Sequence, residues 1–372
     1  MPALFVMVIL FLVPVFFDGP KMMEWYAQYK GQFDNDWWAV LLQVRNYNSG
    51  QYANGAACMA TLWYLSVDYQ LFVVVVITLA ITNRKAKSVH WMMTFFSVAC
   101  ALFIAIYIYD TIYTPFVIPM AEDWRVITHT IFYFYIYTPV HAVMYFMGVS
   151  TAYLIRDHRE KKIHPAVSCS LWFVSIVCVL IAVLGTQPWN SGNYPGEPIK
   201  VLFAAFQRPL WGVFLMWFTF CCSTGRANTI TRFLSTPVFV PLSRLTFGAF
   251  LVHVPLYFIE YAIARERIFY HSVNMISRSF SCMVWSLIIA YFLYLLVEAP
   301  LGRLEKLFLQ RERLRKASQA NQNDLDAEAG KKTLPTRPVV IRSTNGHANG
   351  AYIHSEERLP RFKVAYNYSV KL

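Results

Sequence analysis

The sequence predicts an all-α fold: a polytopic integral membrane helical bundle of about eight transmembrane helices, closed by a disordered cytoplasmic C-terminal tail. Three observations predict it. Hydrophobic residues make up 57% of the 372 positions and charged residues only 15%, where ordinary globular domains carry roughly a quarter charged residues. Aromatics reach 17%, as in helices anchored at membrane interfaces by Trp and Tyr. The apolar residues also recur in runs that meet or approach the roughly 20 residues needed to cross a hydrocarbon core of about 30 Å.

These runs are residues 2–17, 60–82, 91–112, 136–155, 166–184, 201–222, 244–264 and 280–297. The first is short, but it has no Lys or Arg before it and no small-residue cleavage site after it, so it reads as a spanning helix rather than a secretory leader. The stretch 113–135 is aromatic and moderately apolar, the composition of a re-entrant or interfacial segment. The loop 185–200 (GTQPWNSGNYPGEPIK) carries the Gly, Pro and Asn of a turn-filled connection. No internal repeat is present.

Lys and Arg near the helix ends set the orientation. The loops 83–90, 156–165 and 223–243, with the segment after 298, hold about twice as many basic residues as the opposite side. Both termini are therefore expected in the cytoplasm and the loop 18–59 outside. The formal net charge of +12 belongs to this asymmetry. No basic helix free of apolar load and no nucleic-acid motif is present, so the bilayer, and not nucleic acid, is the expected partner.

The seven cysteines, Cys58, Cys100, Cys169, Cys178, Cys221, Cys222 and Cys282, show no CxxC pairing and no zinc spacing. They read as small buried hydrophobes. Residues 301–316 place Leu301, Leu304 and Phe308 on one face among basic residues. That pattern suits either a helix on an anionic leaflet or the end of the last helix. The domain reading is a transmembrane domain over 1–310 and a basic tail over 311–372. From Ala317 onward the chain turns polar and is expected to be disordered. The sequon Asn367-Tyr368-Ser369 falls in this tail and is expected to be silent.

Ionisable side chains at membrane depth mark functional sites or structural pairs. Asp68 and Arg208 stand about eight and seven residues from the outer ends of their runs, roughly 10 Å deep at 1.5 Å per residue. His141 is shallower and His253 lies near the middle of the seventh run. The four could line one polar cavity, with a histidine as general base and the carboxylate orienting it. Alternatively Asp68 and Arg208 form a pair that fixes helix register, with the histidines bonded to backbone carbonyls. Ser66 and Ser243 lack a nucleophile-elbow context and read as packing or capping hydroxyls. Trp37, Trp38 and Tyr47 read as an interfacial belt or loop core.

The string WYLSVDYQLF at 63–72 resembles the W-[SY]-L-x-x-[ED]-x-Q-[FL]-[FY] signature of the acyltransferase-3 superfamily, in its animal "nose resistant to fluoxetine" branch. Trp37-Trp38-Ala39-Val40-Leu41-Leu42 is similar to that branch's WW-x-x-[LV]-L loop motif. The run CSTGRANTITRFLSTPVFVPLSRLTFGAFLVHVPL at 222–256 is similar to its C-x-x-G…FLS…PLSRLTYxxYLVHP, and Glu298-Ala299-Pro300…Leu304-Glu305-Lys306 to its E-x-P…LEK close. The resemblance covers roughly 1–310. It implies a multi-helix bundle that moves an acyl group from a thioester donor to a hydroxyl acceptor. Asp68, Arg208 and His253 then stand for the signature acid, the sixth-helix Arg and the LVH histidine. The departures are specific. No basic-plus-His motif of the family's first helices precedes Trp63, so the resemblance begins at about the third helix of that fold. Phe33 and Asp34 stand where a loop cysteine is usual, leaving Cys58 without an evident partner, and Val254 separates the LVH motif from Pro255.

The function expected is thus a membrane acyltransferase with His253 or His141 as base and Asp68 and Arg208 as organisers. Acyl-CoA is the expected co-substrate, a lipid or small molecule the acceptor, with no bound cofactor or metal. The alternatives are a non-catalytic lipid or xenobiotic transport protein, against which stands the lack of an inverted repeat, and a structural or regulatory protein acting through its tail. The plasma membrane and the endoplasmic reticulum are the compartments expected.

Overall fold

The computed structural model describes residues 2–47, 61–117, 124–266 and 271–332. The described residues contain helices and no strand. This is the outcome expected in lipid, where a backbone N–H or C=O without an internal partner costs several kcal/mol and an open sheet edge is not tolerated. The expected bundle is present, and its helices follow from the apolar runs with informative exceptions.

The first run is broken into α1 (Pro2–Leu10) and α2 (Val13–Phe16). Pro14 has no N–H to give to the carbonyl four residues back, and that carbonyl is Leu10's, where α1 ends. The region read as an outer loop opens instead with a 20-residue helix, α3 (Met22–Leu41). It buries Met22, Trp25, Tyr29, Gln32, Asp36, Ala39 and Val40, a stripe at three- and four-residue spacing that the charged residues between disguise in a hydropathy scan. A 3₁₀ turn, Arg45–Tyr47, follows. Cys58 lies outside the described residues.

α4 (Leu62–Ile81) and α5 (Ala86–Ile108) are joined by a tight turn in which Asn83 and Arg84 adopt φ of 47° and 59°. The aromatic stretch before the fourth run holds α6 (Trp124–Thr130) and a π-helical turn, Ile131–Tyr135, together too short to span. There follow α7 (Thr138–His158), α8 (Pro165–Leu184), α9 (Gln187–Asn190) and α10 (Glu197–Ser223). After these come α11 (Asn228–Leu234), α12 (Phe239–Ile263), α13 (Ser272–Leu293), a second π-helical turn (Tyr294–Glu298) and α14 (Ala299–Lys332). Among the described residues six helices are long and apolar enough to cross a membrane, two fewer than the eight expected segments. α7 has the length, 21 residues, but is less apolar, and the α1–α2 segment is short and broken.

The chain divides into two units, Met1–Lys306 and Leu307–Leu372. In the second, α14 continues helical to Lys332, past Ala317 where disorder was expected. From Ala317 onward its Ala-, Gln- and Glu-containing sequence has no Gly before Gly330 and no Pro before Pro335, so nothing strongly breaks the helix. The rest of the tail, including Asn367, lies outside the described residues.

Within the first unit, α5, α7, α8 and α10 pack together, and α12 packs on α13 with α1 and α3 against it. α4 serves both groups. Leu62 and Leu65 enter a core with Met7, Trp25, Tyr29 and Leu251. Val67, Leu71 and Val75 enter another with Val89, Met93, Ala142 and Phe146. The α12–α13 contact is close because Gly248 lies against Ala290: a Cβ at 248 would come 3.0 Å from the Ala290 Cβ and 3.2 Å from its Cα. Small residues at such crossings let helix backbones approach.

Asp36 and Arg45 form an ion pair with side chains 0% and 1% exposed. The Arg45 backbone N–H donates to Ser66 Oγ at 3.3 Å, tying the 3₁₀ turn to α4. Removing one charge of a buried pair is typically worth 3–5 kcal/mol. Asp36→Asn is therefore expected to destabilise the protein by about that amount, seen as a lowered melting temperature of the detergent-solubilised protein. Gly248→Leu should also destabilise, by about 1–3 kcal/mol through overpacking.

Candidate functional site

The structure separates the four residues singled out in the sequence into two polar centres and one outlier. The first centre lies where α4, α7 and α10 meet the loop 109–117. Arg208 on α10 donates from Nη2 to the Pro115 carbonyl at 3.4 Å, and its Cζ stands 5.6 Å from the Phe134 ring centroid. Nη1 is shielded from solvent and has no hydrogen-bond partner. His141 on α7 donates from Nε2 to the Tyr135 carbonyl at 2.7 Å. Its ring is packed between Trp63 (centroids 5.2 Å apart) and Tyr135 (4.9 Å). Arg208 is an electrostatic neighbour of both His141 and Tyr135.

Asp68 does not join them. It is exposed on α4, with the Tyr145 phenol as an electrostatic neighbour. Among the described residues no ion pair links Asp68 to Arg208, which removes the register-pair reading. The reason is geometric: α4 and α10 both pack on α7, and Arg208 reaches toward Pro115 and Phe134 instead.

The long polar side chain that α4 places against its neighbours is Gln70, half-buried. Its Nε2 donates to Asn46 Oδ1 at 2.9 Å and to the Gln43 carbonyl at 2.7 Å. Asn46 Nδ2 donates to Thr138 Oγ1 at 2.9 Å, and the Thr138 hydroxyl donates back to Gln70 Oε1. Donors and acceptors thus close into a ring of three side chains, in which each bond polarises the next. Sequence reasoning quoted Gln70 within WYLSVDYQLF but gave it no role. An amide at membrane depth beside the acid was the available signal.

The second centre is a cavity of about 1220 Å³, lined by α12, α13 and the Pro20–Lys21 turn before α3. His253 is on its wall. Its Nδ1 lies 2.8 Å from the Phe250 carbonyl. A carbonyl can only accept, so Nδ1 carries the proton and Nε2 presents a lone pair. Cys282 donates its thiol to the His253 carbonyl at 3.5 Å. The cavity's charged end has Glu260 paired with Arg278 at 2.6 Å, and Arg265 facing Asp18 at 3.6 Å. There too the Lys21 ammonium donates to the Tyr261 hydroxyl at 2.5 Å. Tyr261, and to a lesser degree Glu24, favours the charged form of Lys21 and raises its pKa. Among the described residues no cluster of His, Cys, Asp and Glu is arranged to hold a metal ion.

Ser66 and Ser243 behave as packing hydroxyls, Ser66 accepting from Arg45 and Ser243 donating to the Val240 carbonyl at 2.9 Å. Tyr47 stacks on Tyr137, while Trp37 and Trp38 remain exposed at 48% and 44%.

The sequence profile of the acyltransferase-3 family, described as an acyltransferase domain, matches residues 1–295. The chain belongs to the acyltransferase-3 family. It is also similar to Nose resistant to fluoxetine protein 6 of Caenorhabditis elegans, with 24% identity over 304 residues. That match covers 78% of this chain and 36% of the relative, so the chain spans about a third of that relative's length. No solved structure matches it. Family and helices together describe a multi-pass membrane protein with an acyltransferase domain.

The ring around Gln70 predicts a stability effect independent of activity. Gln70→Leu leaves Asn46 Oδ1 and the Thr138 hydroxyl proton without their partners in a half-buried site. It should cost about 1–3 kcal/mol, measured as a lowered melting temperature, with Gln70→Glu less costly because Oε1 can still accept from Thr138.

Proposed function

We propose that this chain catalyses transfer of an acyl group from acyl-CoA to a hydroxyl acceptor within the membrane, with His253 as the general base. The observation that carries this reading is His253 on the wall of the α12–α13 cavity, its Nδ1–H held by the Phe250 carbonyl. Such a bond fixes the ring and its tautomer, as a base needs. A carbonyl serves here as the orienting group, the role first expected of Asp68.

The chemistry balances without a cofactor. The acceptor hydroxyl oxygen attacks the thioester carbonyl carbon, its proton passes to His253 Nε2, a C–O bond forms and the C–S bond breaks. The CoA thiolate leaves, and the proton on Nε2 returns to it. The membrane in which this happens is the plasma membrane or the endoplasmic reticulum.

His141 fits the base role less well. Like His253 it gives one N–H to a carbonyl, but its ring is packed between two aromatics and does not line the cavity. The Arg208–His141 centre is assigned to positioning α7 against α10, and exposed Asp68 to neither centre.

The test uses the full chain in nanodiscs with radiolabelled acyl-CoA and mixed hydroxyl acceptors. His253→Ala should remain folded and lose about 10²–10⁴-fold in rate, the usual contribution of general-base catalysis. His141→Ala should change the rate by only a few-fold. Full activity in a folded His253→Ala protein would sink the assignment. Accumulation of labelled lipid with no acyl product in the wild type would favour the non-catalytic lipid-handling reading.

A further inference from the structure

The α12–α13 cavity is larger than the roughly 300–1,000 Å³ of ordinary small-molecule pockets. Its lining runs along α12 from Thr246 to Tyr261, fifteen residues or about 22 Å of helix, and on through Ala264, Arg265 and Glu266 beyond the helix end. Its walls are two neighbouring helices and one turn, so the remaining side is open to whatever surrounds the bundle. Exposed apolar side chains edge that side, including Met275, Tyr257 and Met283 at 40%, 51% and 51% exposure. In a bilayer the molecule present there at high concentration is lipid.

The two ends of the cavity differ. Toward Thr246 the walls are Ala249, Phe250, Val254, Met283 and Leu287, with no charge. At the other end stand Lys21, Arg265 and Arg278 together with Glu260 and Glu266. An anionic headgroup would meet two carboxylates there, and a cationic one three basic residues. A headgroup bearing both signs can face each with its opposite. His253 lies seven residues below Glu260, about 10 Å down the helix, between the charged end and the apolar end.

We propose that this cavity binds a glycerophospholipid with a zwitterionic headgroup and that its lyso form is the acyl acceptor. The second clause rests on the acyltransferase reading above; the first does not. The lysophospholipid's free glycerol hydroxyl lies between its headgroup and its chain, as His253 lies between the two ends of the cavity. The hydroxyl loses its proton to Nε2 and takes the acyl group from acyl-CoA. The diacyl lipid formed needs more room than a single-chain acceptor, which the volume supplies.

The experiment is lipid retention by the full-length protein, released from nanodiscs made of equal parts phosphatidylcholine and phosphatidylglycerol and weighed by native mass spectrometry. The wild type should keep one phosphatidylcholine per chain in preference to phosphatidylglycerol by about tenfold. Glu260→Gln combined with Arg278→Gln should reduce that preference toward unity, and Ala249→Trp should expel the lipid. If either variant misfolds, the competition on the wild type still decides. Equal retention of both lipids, preference for phosphatidylglycerol, or no retained lipid overturns the proposal. A second arm supplies lysophosphatidylcholine and radiolabelled acyl-CoA. Retention without diacyl product overturns the acceptor assignment and leaves the lipid site standing. Acyl transfer to another acceptor with no lipid retained leaves the enzyme reading standing and overturns this one.

Discussion

Everything in this protein depends on where its backbone hydrogen bonds go. In hydrocarbon each N–H and C=O must find a partner within the protein, so the chain is helical wherever it can be. Among the described residues the α-helical pattern is interrupted inside the bundle at Pro14, Pro209 and Pro255, at the two π-helical turns and at the 3₁₀ turn Arg45–Tyr47. The polar candidates stand beside these departures. Arg208 precedes Pro209, His253 comes two residues before Pro255, and His141 follows the π-helical turn by six residues from Tyr135. Each then bonds to a main-chain carbonyl: Pro115 for Arg208, Phe250 for His253 and Tyr135 for His141. Carbonyls let ionisable side chains sit in the bundle without the desolvation penalty of a second buried charge. They do the work that an acid at membrane depth was expected to do.

The same constraint explains why there are two polar centres and not one. α4 stands between two apolar cores, giving Leu62 and Leu65 to one and Val67, Leu71 and Val75 to the other. Its polar side chains must therefore be satisfied locally, and Gln70 is, in a closed ring with Asn46 and Thr138. That ring, whose side chains satisfy one another, has little left to offer a substrate. The α12–α13 cavity is the opposite case. Its charges pair across the opening, in reach of solvent, and the histidine on its wall keeps one nitrogen uncommitted.

The helical bundle was legible because long apolar runs and interfacial aromatics are properties of composition and spacing. α3 was not, since Lys, Glu, Asp and Gln on its other face pull down any windowed hydropathy. The signal that would have found it is the 3.6-residue spacing of Trp25, Tyr29, Gln32 and Asp36. The depth argument located Arg208, His141 and His253, all of which lie within the bundle. Depth fixes a position along a helix but not the direction in which it faces, and for that reason Asp68 was placed in a cavity it does not reach. The charged end of the large cavity was illegible for another reason. Lys21, Glu260, Arg265 and Arg278 are separated by up to 257 positions in sequence, and each alone reads as an ordinary loop or helix-end charge.

The choice between the two histidines follows from charge. A general base must carry a proton while the tetrahedral centre forms. On His141 that proton would add a positive charge beside Arg208, a guanidinium with no carboxylate in its immediate surroundings among the described residues, in a region where dielectric screening is weak. On His253 it would arise on the wall of an open cavity, about 10 Å from an end where Glu260 and Glu266 stand with Lys21, Arg265 and Arg278. The Phe250 carbonyl would go on accepting from Nδ1–H in either protonation state. The ring therefore need not turn over during the reaction, and the geometry that selects the neutral tautomer also holds the imidazolium that follows it.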